Sequence, residues 1–193
     1  MSIQDPHSFD SYAHTYEHTL DRGLAISGET VTFFARERIA WLGTRLQKFG
    51  LVPRTVLDYG CGTGNSTSFF VDILGTTSVI GLDLSAKSLA VARLKNSRLP
   101  VQYRLIPEYA PNEAVDLVFC NGVFHHIPVG ERAGALGYMS DCVRPDGVVA
   151  LWENNPWNPG TRYIMRRIPF DRDAVPMTAR QARALAIEAH LKF

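Results

Sequence analysis

Apolar residues fall along this chain in two rhythms, and the alternation between them predicts the fold. Val31, Ala35, Ile39, Leu42, Leu46 and Phe49 recur every three or four positions, an amphipathic helix that Gly50 can close. Short apolar runs follow: TVLDY (55–59), SVIGLD (78–83), VQYRLI (101–106), VDLVFCN (115–121) and GVVALWE (147–153). Most lack polar alternation, as strands buried on both faces of a parallel sheet do. Helical patterns separate them: Ser85 caps AKSLAVARL, and Leu136, Met139 and Val143 share one stripe behind VGER. Strands alternating with helices predict an α/β class fold, a three-layer, doubly wound and mainly parallel sheet. From Asn154 the pattern breaks into NNPWNPGTRYIMRRIPF, read as a loop or lid. A last helix, TARQARALAIEAHL, is capped by Thr178.

The remaining bulk properties narrow the function classes. With 193 residues and 46% hydrophobic content, the chain can build one domain with a substantial core. Its 20 basic and 19 acidic residues leave a formal net charge of +1, no footprint for nucleic acid or an anionic membrane surface. No apolar run approaches the roughly 18 residues of a membrane span, and the first twenty residues carry no signal-peptide core. Cys61, Cys120 and Cys142 follow no metal or disulfide spacing, so a reduced, cytoplasmic protein is expected.

The candidate chemistry lies behind the first strand, in VLDYGCGTGNST (56–67). A strand that ends in Gly60, Gly62 and Gly64 and runs into a helix is a ligand site at the carboxyl edge of a parallel sheet. Glycine tolerates positive φ, and its missing Cβ lets a ligand pack on bare backbone. A dinucleotide would want G-x-G-x-x-G, but the third position is Asn65. A nicotinamide-dependent oxidoreductase is therefore disfavoured.

The stretch resembles motif I of the class I S-adenosylmethionine-dependent methyltransferases, with Asp58, Gly60, Cys61, Gly62, Thr63 and Gly64 as the D-x-G-C-G-T-G form. Asp83 is similar to that family's acidic residue at the tip of the second strand, which accepts the ribose hydroxyls. FDSYAHTYEH (9–18) resembles its aromatic N-terminal segment, VDLVFCNGVFHHIP (115–128) its fourth-strand motif, and VRPDGVVAL (143–151) its entry to strand five. The resemblance implies that S-adenosyl-L-methionine is bound by Tyr16, Asp58, Gly60, Cys61, Gly62, Gly64, Asp83, Leu84 and Asn121, and that S-adenosyl-L-homocysteine is the product. It implies one domain, with a helical lid over 1–50, a cofactor-binding core over 51–153 and a loop and helix over 154–193. Where the family usually offers a Gly-Asp pair after strand three, this chain reads Ile106-Pro107-Glu108, with Glu108 a substitute. The family's two last strands have no counterpart. Either the chain is a shortened variant, or a second subunit, in a homodimer, covers the exposed edge.

The expected function is methyl transfer to a small-molecule acceptor, the attacking atom (O, N or C) being left open. The alternative is a non-catalytic scaffold or subunit that binds the same cofactor. His125 is the candidate acid or base, with His126 beside it, because an imidazole titrates near physiological pH. Arg162, Arg166 and Arg167 follow the Pro/Asn loop and would suit an anionic acceptor. His14 and His18 are four apart, but without a third ligand no metal is expected. Tyr12, like Tyr16, is a candidate lid aromatic.

Overall fold

The computed structural model describes residues 10, 15–25 and 28–192. Five strands form one sheet: β1 (Thr55–Tyr59), β2 (Ser78–Asp83), β3 (Val101–Leu105), β4 (Val115–Asn121) and β5 (Val143–Trp152). Their order is β3-β2-β1-β4-β5, and every neighbouring pair is parallel. Helices α1 (Tyr16–Leu24) and α2 (Val31–Lys48) precede the sheet. Connecting and closing helices are α3 (Thr67–Leu74), α4 (Ala86–Lys95), α5 (Arg132–Cys142), α6 (Pro159–Arg167) and α7 (Ala179–Glu188).

Period-two alternation within the buried strands divides the core into two layers. Val56, Leu117 and Phe119 pack with Ile39, Leu42 and Leu46 of α2 and Phe70 of α3. Their immediate neighbours Leu57, Val118 and Cys120 face the opposite side, against Leu136 and Met139 of α5 and Ala186 of α7. A smaller cluster joins Cys61 and Tyr103 to Leu89 and Ala92 of α4. The three cysteines are free and buried, one use of a small apolar side chain.

The structure departs from the expected elements in two places. The stretch from Asn154 contains a helix, α6, rather than loop alone. Asn158 caps it by accepting from the backbone N–H groups of Gly160 and Thr161, and Pro159 sits at the first helical position, where its missing N–H costs nothing. Strand β5 begins at Val143, because Val143 already pairs with Val115. The register then shifts before Leu117 meets Val148, with Asp146 at φ +66° inside the irregularity. The caps at Ser85 and Thr178 form as expected, Thr178 in a reciprocal box with Gln181. No described helix is long and apolar enough to cross a membrane.

Candidate functional site

The strand order reverses direction between β1 and β4, so the crevice beyond their carboxyl ends is where an open α/β sheet takes a ligand. A cavity of about 450 Å³ opens there. Its floor comes from the glycine loop and the end of β4, and α1, α2 and α6 with the 168–171 segment form its walls.

The three glycines of the loop do different things. All have left-handed backbone, at φ +72° for Gly60, +53° for Gly62 and +73° for Gly64. A Cβ on Gly60 would collide with Val123 Cγ2, and one on Gly64 would meet Tyr103 Oη at 2.5 Å and Asn96 Nδ2 at 2.6 Å. A Cβ on Gly62 would find no protein atom within 4 Å. Gly60 and Gly64 are thus required by the fold, whereas Gly62 leaves bare backbone facing the cavity.

Neighbouring strand ends fix this loop. Gly60 and Cys61 donate their N–H groups to the Leu82 carbonyl, at 2.8 and 2.9 Å. Asp83 accepts from Gly62 N on Oδ2 and from Ser85 N on Oδ1, both at 2.8 Å. A carboxylate offers about four acceptor sites, so both oxygens retain capacity for a further donor. Burial pushes the Asp83 carboxyl above its usual range, against the lowering effect of those hydrogen bonds. Asp58 lies deeper. Burial first, and the charge of Asp83 second, raise it to about 8. Helix α1 is tied across the loop by Glu17, which accepts from Thr63 Oγ1 at 3.0 Å and pairs with Lys95 at 2.8 Å.

On the opposite side of the cavity stands a buried ionic cluster. His125 Nδ1 donates to Glu153 Oε2 at 2.7 Å, and its Nε2 lies 3.6 Å from Asp171 Oδ1. His126 Nε2 meets the same Asp171 oxygen at 3.2 Å. The other oxygen of Glu153 accepts from the N–H groups of Val123 and Phe124, at 2.8 and 2.7 Å. Burial alone would lower the His125 pKa, but the Asp171 and Glu153 carboxylates outweigh it and raise it to about 9. Burial lowers that of His126. Arg132 completes the join, donating to the carbonyls of Ile127 at 3.0 Å and Val175 at 2.6 Å, while Val175 N donates to the His125 carbonyl at 2.9 Å.

Of the residues singled out from sequence, Asp58, Gly60, Cys61, Gly62, Asn121 and His125 line the cavity. Gly64 packs away from it, and Asp83, half-buried, holds the loop through Gly62 N. Leu84 is exposed and Glu108 lies in an exposed turn, neither of them on the cavity wall. Tyr16 opens α1, with its side chain outside the described residues, as are Tyr12 and His14. Arg162, Arg166 and Arg167 are exposed, because α6 turns Thr161, Ile164 and Met165 to the cavity instead. Among the described residues, the cation that lines the cavity is Arg38 of α2, stacked over the Phe34 ring at 5.8 Å. Sequence reasoning passed over Arg38, Glu153 and Asp171. Glu153 carried a usable signal, a lone carboxylate just past an apolar strand.

Residues 56–147 match a family model described as "Methyltransferase domain". The chain is 32% identical over 142 residues to trans-aconitate 2-methyltransferase of Acidovorax sp. (strain JS42), covering 72% of this chain and 54% of that protein. It is 40% identical over 123 residues to the protein of that name from Rhodopseudomonas palustris (strain HaA2), covering 62% and 46%. The chain spans about half the length of these curated relatives. Among solved structures, magnesium protoporphyrin IX methyltransferase from Synechocystis PCC 6803 with bound SAH superposes with a TM-score of 0.69 over 95% of this chain and 87% of the other. At 17% identity that likeness speaks for the fold alone. Sheet order, glycine loop and relatives converge: the chain belongs to the class I S-adenosylmethionine-dependent methyltransferases.

Proposed function

We propose that this chain binds S-adenosylmethionine across the glycine loop and transfers its methyl group to a small, anionic acceptor entering beside α2 and α6. The observation that carries the reading is the backbone at Gly62, the one glycine of the loop whose missing Cβ faces open cavity rather than protein. The cofactor supplies a methyl carbon already activated by the adjacent sulfonium. The chain's residues have to bind, orient and exclude water, and positioning of that kind can supply about 7–11 kcal/mol of a displacement's barrier. Asp83 offers its remaining acceptor sites to ribose hydroxyls, and Asn121, at the end of β4, stands at the methionine half.

Arg38 supports an anionic acceptor, since a guanidinium at a cavity wall suits a carboxylate or phosphate. The relatives' name points the same way, trans-aconitate being a carboxylic acid. His125 has both ring nitrogens directed at carboxylates, so we assign it to ordering the wall rather than to taking a proton from the acceptor.

Calorimetry with S-adenosylhomocysteine, followed by mass spectrometry of trans-aconitate and other polycarboxylates incubated with the cofactor, tests the proposal. Binding and a methyl gain are expected, and Arg38→Ala should raise the acceptor KM about 10- to 100-fold, the range of a lost charge-assisted contact. A folded chain with no affinity for S-adenosylhomocysteine refutes the reading.

A further inference from the structure

The cluster at the cavity wall has a geometry that an ion pair does not require. Three residues from two distant segments converge: His125, His126 and Asp171 each bring one potential ligand atom within 4.8 Å of the other two. Two of the edges are 3.2 and 3.6 Å. Ligands bonded at about 2.0–2.1 Å to one metal stand roughly 2.9–3.4 Å apart in octahedral or tetrahedral arrangement. His126 is the more exposed of the two rings.

A second feature is independent of those distances. A metal-binding imidazole ordinarily donates its other ring N–H to a carboxylate, which fixes the ring and its tautomer. His125 does so, giving Nδ1–H to Glu153 at 2.7 Å, and Glu153 is itself anchored by two backbone N–H groups. All three converging residues line the cavity, so one side of the point faces open space.

We propose that His125, His126 and Asp171 form a three-ligand site for a divalent transition metal of the zinc or iron(II) type, open toward the cavity. Two imidazoles and one carboxylate are a donor set suited to these ions. Binding releases the imidazole proton that otherwise bridges to Asp171. The open positions would take an oxygen of the acceptor, and that role rests on the transferase reading, whereas metal uptake does not.

The test uses the whole chain, stripped with chelator, and Zn²⁺ or Co²⁺ alone. Calorimetry should show one Zn²⁺ per chain, and Co²⁺ should give the intense visible bands of low coordination. His126→Ala and Asp171→Asn should each abolish that site, and Glu153→Gln should weaken it about 10- to 100-fold. His18→Ala, on α1, should leave it unchanged. No metal uptake by the parent chain, or uptake unchanged in His126→Ala, overturns the proposal. Because Asp171→Asn could loosen the segment it anchors, X-ray absorption of the Zn²⁺-loaded parent chain is a variant-free check. Imidazole and oxygen scattering support the site, and a sulfur shell refutes it. Failure of methyl transfer with metal uptake intact would sink the transferase reading and leave this site standing.

Discussion

Replacing Gly62 and Gly64 in turn by alanine separates ligand approach from fold. Both residues have left-handed backbone, so either substitution costs about 1–2 kcal/mol from the new Cβ alone. At Gly62 nothing further is lost, because no protein atom lies within 4 Å of that Cβ. For a chain of this size, about 2–4 °C per kcal/mol puts the Tm of Gly62→Ala roughly 2–8 °C below the parent. At Gly64 the Cβ would press on Tyr103 Oη at 2.5 Å and Asn96 Nδ2 at 2.6 Å. Those atoms belong to a buried network in which Tyr103 Oη bonds Thr67 at 2.7 Å and Asn96 at 2.8 Å, while Asn96 also donates to the Gly64 carbonyl at 3.1 Å. Breaking one buried bond adds about 1–3 kcal/mol, so Gly64→Ala should melt well below Gly62→Ala.

Affinity should follow the reverse pattern of emphasis. A methyl forced into a packed ligand interface costs about 1–3 kcal/mol, about 5- to 150-fold in Kd. Folded Gly62→Ala should therefore lose S-adenosylhomocysteine affinity by that factor while remaining the more stable of the two. Melting curves and calorimetry on the same samples decide it. Parent-like affinity in Gly62→Ala would show that no ligand lies against this backbone, and equal melting of the two variants would refute the division of labour.

Three further outcomes are expected. Asp83→Asn puts an amide N–H₂ where the carboxylate accepted, so one of the two backbone bonds is lost together with the proposed ribose contact, and S-adenosylhomocysteine should bind roughly 10- to 100-fold more weakly by calorimetry; an unchanged Kd would remove Asp83 from the site. Asp58 has a folded-state pKa of about 8 against 3.8 for the free group, so its charge destabilises the fold increasingly as pH rises from 4 to 8. Asp58→Asn should melt above the parent at pH 8, with the gap closing toward pH 4; a gap that widens on acidification would contradict the burial argument. Strand β5 lies at the edge of the sheet, and its unpaired backbone groups favour association, so sedimentation should show concentration-dependent dimers or larger species; a strictly monomeric chain would show that side chains and helices blunt the edge unaided.

What could be read from sequence follows from how local each signal is. Strands β1, β2 and β4 match their predicted ranges because apolar runs bounded by turns leave little choice of limits. The glycine loop was legible because Gly60, Gly62 and Gly64 lie within five residues. Their different duties were not, since Val123, Tyr103 and Asn96 are far away in the chain. Helix α6 was hidden by the prolines and asparagines that lead into it, although Asn158-Pro159 is itself a helix-start signal. The arginines of α6 are exposed, whereas Arg38 lies on the cavity wall, a place that depends on how α2 crosses the sheet. Asp171 lies 46 positions from His125, with nothing in the local pattern to link them.

The two sides of the cavity nevertheless follow one rule, visible only with the strands in order. Asp83 ends β2 and holds the loop that follows its inner neighbour β1, by accepting from Gly62 N. Glu153 follows β5 and holds the loop that follows its inner neighbour β4, by accepting from Val123 and Phe124 N. In each case an outer strand sends a carboxylate inward to fix backbone donors at the switch point between β1 and β4. The two loops then meet, because Val123 occupies the space that a Cβ on Gly60 would need. A buried carboxylate is costly unless its oxygens are satisfied, and backbone N–H groups at strand ends otherwise lack partners. Pairing the two resolves both demands and leaves Gly62, unlike Gly60 and Gly64, with open space above it. Neutralising Glu153 should therefore disturb the far wall through Val123, just as neutralising Asp83 disturbs the near one through Gly62.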